Sequence, residues 1–131
     1  MTKELELVLE ELEEQFAYKE KDILKFLINY TEKDTGLILN NETEMQPMHI
    51  AYFTNTEIER VKEILQFFNA NDFIWIGSNS ESFSSRKYQY FINPLLYRKS
   101  YKINKVLKTM FKNYKIRCKG NVAWENLDDG I

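Results

Sequence analysis

Apolar residues recur at helical spacing through the first quarter of the chain. Leu5, Val8, Leu9, Leu12 and Phe16 share one face of a helix predicted over residues 3 to 16, with glutamates opposite. Ile23, Leu24, Phe26, Leu27 and Tyr30 predict a second helix, and Asp34-Thr35-Gly36 ends that region. Leu37-Ile38-Leu39 is a run of the right size for a minimal strand. Residues 42 to 53 read as a short helix with Met45, Met48, Ile50, Ala51 and Phe53 as apolar contacts, and Pro47 fits only its first turn. Thr56 with Glu59, or Thr54 with Glu57, forms a capping box that opens the next helix. That helix continues through Ile58, Val61, Ile64, Leu65 and Phe68 and stops near residues 69 to 72.

Periodicity then changes. Phe73-Ile74-Trp75-Ile76 is strand-like, residues 77 to 85 form a polar loop, and Lys87 to Ile92 alternates as a returning strand closed by Asn93-Pro94. A last helix over residues 103 to 115 sets Ile103, Val106, Leu107, Met110, Phe111 and Tyr114 on one face. Its other face is Lys105, Lys108, Lys112 and Lys115. The fold class expected is mainly α with a small β-hairpin. A chain of 131 residues is long enough to bury a core as one domain.

Charge divides along the chain more sharply than the net of −2 suggests. Residues 1 to 72 carry sixteen acids against seven bases, residues 73 to 119 carry one acid against eleven bases, and residues 120 to 131 carry three acids and no base. A stripe of one sign concentrates polyanions, and Tyr88, Tyr90, Tyr97, Tyr101 and Tyr114 lie among these cations, so nucleic acid is the expected partner. The competing reading makes the aromatics core and the lysines a solvated helix face. Cys118 is the only cysteine, which excludes an internal disulfide and a four-cysteine zinc site. The acidic start has no signal-peptide pattern and no eighteen-residue apolar run exists, so a cytoplasmic, non-membrane protein is expected. His49 is the only histidine and reads as a packed or surface residue. No metal set, nucleophile and base pair, or phosphate-cradling glycine loop is visible; no cofactor and no enzyme activity are expected.

The element order resembles a winged helix-turn-helix with additional N- and C-terminal helices. Residues 56 to 74, from the capping box through Asn69-Ala70-Asn71-Asp72 to Phe73-Ile74, look like a recognition helix running into the wing. Tyr90-Phe91-Ile92-Asn93-Pro94 is similar to the wing exit of small plasmid replication-initiator proteins of low-GC Gram-positive bacteria. The resemblance implies one domain over residues 1 to 119: an N-terminal helix (1–18), a winged-helix core (20–97) and a basic C-terminal helix (103–117), followed by an acidic tail (120–131). It implies double-stranded DNA as partner, bound by Thr54, Asn55, Thr56 and Arg60 at the recognition helix, Arg86 and Lys87 at the wing, and Lys105, Lys108 and Lys112 on the last helix. Glu57, Glu59 and Glu63 depart from the pattern, because glutamates facing phosphates repel them. They support an alternative, a winged-helix module that docks to protein; the acidic N-terminal helix is a second surface for such a partner. Leu5, Val8, Leu12 and Phe16 are the expected homodimer seam, unless they cover the chain's own core.

Overall fold

A computed structural model describes residues 3–15, 18–33, 35–79, 87–97 and 105–111. The described part is mainly helical, with two small antiparallel strand pairs. The order is α1 (Lys3–Gln15), α2 (Tyr18–Asn29), β1 (Leu39–Asn40), β2 (Thr43–Glu44), α3 (Pro47–Thr54), α4 (Ile58–Ala70), β3 (Ile74–Asn79), β4 (Lys87–Ile92) and α5 (Lys105–Phe111). Helix spacing carries directly into burial. Ile23, Leu24 and Leu27 of α2, Ile50 of α3, and Val61, Ile64, Leu65 and Phe68 of α4 form one core with Ile74, Tyr90 and Ile92 of the hairpin.

Leu5, Val8 and Leu12 belong to the same core, buried against the chain itself. This corrects the expected dimer seam: α1 packs on α2, and the apolar stripe is consumed within one subunit. Phe16 lies outside the described residues.

Three elements differ from expectation. Residues 43 and 44 are strand rather than helix, paired with β1 across a turn in which Asn41 takes a left-handed conformation (φ 58°). The helix therefore starts only at Pro47, where the ring's fixed φ suits the first turn. The run Leu37-Ile38-Leu39 divides: Leu37 bridges to Phe91, Ile38 to Thr31, and Leu39 opens β1. Neither threonine caps α4, whose N-cap is Glu57 without a side-chain capping bond.

The β3–β4 hairpin is covered on both faces. Its register pairs Ile74 with Ile92 and Ile76 with Tyr90 on the core side, and Trp75 with Phe91 on the other. On that second side Trp75 meets Phe111 of α5 edge-on, ring centroids 6.0 Å apart, so α5 lies across the sheet from α4. The outer edge of β4 is closed as well. Ile38 N–H donates to the Tyr90 carbonyl (2.8 Å) and Ile92 N–H to the Gly36 carbonyl (3.0 Å). Further along, the Gln46 carboxamide pairs with Tyr88 in both directions, Nε2 donating to its carbonyl (2.7 Å) and Oε1 accepting from its N–H (3.1 Å). A side chain thus completes the edge that a strand would otherwise template.

The hairpin exit is locked by Asn93, which is fully buried. Its Nδ2 donates to the Asp72 carbonyl (2.8 Å), its Oδ1 accepts from Leu95 N–H (3.0 Å), and its N–H donates to the Phe73 carbonyl (2.9 Å). Asn93→Ala removes both side-chain bonds to these backbone groups, and is expected to cost about 2–4 kcal/mol. Thermal and denaturant unfolding measure this; an unchanged midpoint would show that water replaces both bonds.

Candidate nucleic-acid interface

The turn between α3 and α4 is held by its own hydroxyls. Asn55 takes a left-handed conformation (φ 51°, ψ 51°) and caps α3, a conformation that asparagine tolerates better than most residues. Thr54 Oγ1 donates to the Ile50 carbonyl (2.6 Å), Thr56 Oγ1 to the Thr54 carbonyl (3.1 Å), and the two hydroxyls lie 2.9 Å apart. These bonds tie the threonines back to α3, which explains why the capping boxes do not form. Lys19 of α2 donates to the Thr54 carbonyl (2.8 Å) and pins the turn from the other side. Asn55 remains exposed, while Thr54 and Thr56 are half-buried.

Arg60 is turned away from the role expected for it. Its guanidinium pairs with Glu20 of α2 and approaches Glu63 at 3.9 Å. The guanidinium side chain is 40% exposed and the Glu20 carboxylate only 9%. Burying that carboxylate requires a cation, so Arg60 is committed to the α2–α4 contact. Glu20 Oε2 accepts from none of the described groups. The other cation of α4, Lys62, lies 3.5 Å from Glu59. Both cations on this helix are thus paired with carboxylates, and Glu57, Glu59 and Glu63 are exposed. The guanidinium expected at DNA is held instead at the α2–α4 contact.

The remaining expected contacts are placed in part. Lys87 is the first residue of β4, opposite Asn79. Lys105 is exposed on α5 and Lys108 half-buried there. Arg86 and Lys112 lie outside the described residues. Because α5 covers the hairpin face opposite α4, the described lysines of α5 are not on the surface of residues 55 to 63.

A cleft of about 170 Å³ opens between α4 and the hairpin, lined by Pro47, Lys62, Leu65, Gln66, Ile76, Tyr88 and Tyr90. The rings of Tyr88 and Tyr90 stack with centroids 6.1 Å apart. Burial, with a smaller contribution from Tyr88, pushes the Tyr90 phenol well above its ordinary value, so it stays protonated and a hydrogen-bond donor.

Comparison with known protein families, curated proteins and solved structures finds no match.

Three features escaped sequence reasoning. His49 Nδ1 accepts the Gln46 N–H (3.0 Å), an N-terminal cap in which histidine stands where glutamate is usual. Glu20, one glutamate among many, is distinguished only by burial. The third is an aromatic group on the outer surface: Phe26 lies 4.7 Å from Tyr30 and 6.0 Å from Phe53, and Tyr52 meets Phe53 at 5.4 Å, as centroid separations. Its signal was present, since α3 carries no Lys, Arg, Asp or Glu. Among the described residues no group of three His, Cys, Asp or Glu side chains converges as a metal site, and no helix is long and apolar enough to cross a membrane.

Proposed function

We propose that the chain is a non-enzymatic winged helix-turn-helix protein that binds double-stranded DNA, serving as a transcriptional regulator or a plasmid or phage replication-control factor. What supports this reading is a pair of helices, α3 and α4, packed beside the β3–β4 strand pair in a chain whose charges turn positive from residue 73 to 119. Residues 36 to 38 pair with β4, α3 and α4 join through the Asn55 turn, and all but one of the charges from residue 73 to 119 are positive. DNA is engaged by the wing and by α5, through Arg86, Lys87, Lys105, Lys108 and Lys112. α4 contributes shape rather than cations, because its two are paired.

Binding is expected to be non-specific in large part and steeply salt-dependent, with about 0.9 counter-ions released per neutralised phosphate. Titration of duplex DNA at two salt concentrations tests this; no binding at low salt sinks the reading. Replacing Arg86 and Lys87 together by alanine is expected to weaken binding to all sequences about equally and to lower the salt slope by about 2, with melting temperature little changed. A loss confined to one preferred sequence would mean that the wing reads bases.

A second reading, an interaction module that docks to protein, is favoured by the acidic exposed face of α4. It predicts no duplex affinity in the same titration.

A further inference from the structure

The cleft between α4 and the hairpin grades from apolar to polar. Leu65 and Tyr90 are buried in its lining, Pro47 and Ile76 are half-buried, and Lys62, Gln66 and Tyr88 are exposed at its mouth. Tyr90 is out of place at the buried end. Only 3% of the residue is exposed, yet none of the described groups bonds its hydroxyl. A phenol withdrawn so far from water ordinarily has a partner, so an unmatched donor beside a cleft marks the place of a ligand's acceptor. On the α4 side Gln66 adds a carboxamide, donor and acceptor together, which no described group engages either. Lys62, the only cation in the lining, lies 3.5 Å from Glu59. The cleft therefore suits a neutral, planar, polar group better than a phosphate.

We propose that this cleft takes one unpaired nucleobase, packed against the Tyr88 and Tyr90 rings with its polar edge on the Tyr90 hydroxyl and the Gln66 carboxamide. A volume of about 170 Å³ suits one planar ring system, since a cavity of about 150 Å³ holds benzene. Aromatic side chains stack on any base, and polar side chains bond the base edge that a duplex hides. Lys87 immediately precedes Tyr88 in β4, so a strand held by its phosphates at the wing has its bases beside the cleft. The hairpin wall is set in advance. The Gln46 carboxamide holds the Tyr88 backbone through both its N–H and its carbonyl, which lowers the ordering cost of binding. This use of the cleft rests on nucleic acid being the protein's ligand, and adds that one base leaves its pair.

A duplex carrying one unpaired base is expected to bind roughly tenfold more tightly than the fully paired duplex, the scale of one base stacked on aromatic side chains. A 2-aminopurine at the unpaired position should lose fluorescence on binding. Tyr90→Phe and Gln66→Ala should each remove most of the preference, with paired-duplex affinity and melting temperature nearly unchanged, since neither polar group serves the described fold. Should Tyr90→Phe fail to fold, Gln66→Ala at the exposed mouth carries the same test. Equal binding of the two DNAs, or a preference that both variants retain, overturns the proposal and leaves duplex binding standing. No binding of either DNA at low salt removes the nucleic-acid reading and this site with it. Thymidine that shifts the Gln66 amide resonances, with no preference for the unpaired base, overturns the strand as the source and assigns the cleft to a free nucleoside.

Discussion

Replacing Leu5 and Leu12 together by glutamate will unfold the protein. Both leucines are buried in the core that α1 shares with α2. Truncating a buried leucine to alanine alone costs about 2–5 kcal/mol through lost burial and the cavity left behind. A glutamate adds the cost of a carboxylate with no cation beside it, or of the proton it must take up to enter. Two such changes rival the 5–15 kcal/mol by which a typical domain is stable. Circular dichroism and a thermal scan should show loss of cooperative unfolding. A folded monomer with native helix content would return the stripe to an intersubunit seam.

Arg60→Ala will destabilise the protein more than it will alter any DNA affinity. Removing the guanidinium leaves the Glu20 carboxylate buried without its counter-ion, a change that costs about 3–5 kcal/mol for a fully buried pair. Because Arg60 is partly exposed, water offsets part of that loss, and about 1–3 kcal/mol is expected. Glu20→Gln in the Arg60→Ala background should recover much of the loss, since the charge that needed pairing is gone. Denaturant unfolding of the two single variants and the double variant measures the coupling. If Arg60→Ala instead unfolds at the parental midpoint while duplex binding falls more than tenfold, Arg60 is a DNA contact and its pairing with Glu20 is incidental.

Much of the architecture was legible because periodicity is a local property. α1, α2 and α4 lie where apolar residues recur at helical spacing, and β4 where side chains alternate. Boundaries failed where short polar residues had two ways to bond. Thr54 and Thr56 were equally suited to cap α4 or to close α3, and their hydroxyls went to carbonyls of α3 and the turn. Residues 43 and 44 carry no pattern of their own and became strand because β1 lay opposite. The candidate site was less legible. Arg60, Lys62 and the glutamates of α4 were visible as charges, but not which cation was matched to which acid.

By itself the sequence determined that α1, α2 and α4 are helices with one apolar side, that a strand pair follows α4, and that positive charge collects from the hairpin onward. These follow from residue spacing and composition, which act over a few positions along the chain. Only the tertiary structure decided what each side is buried against. It assigned the α1 stripe to the subunit's own core, drew Arg60 onto Glu20 forty residues earlier, seated Gln46 on the edge of β4, and left the uncharged face of α3 uncovered. An amphipathic pattern states that a surface leaves water without naming its partner, because burial of apolar area is non-directional. The partner is set by chain connectivity and by which charged groups must meet when the helices close.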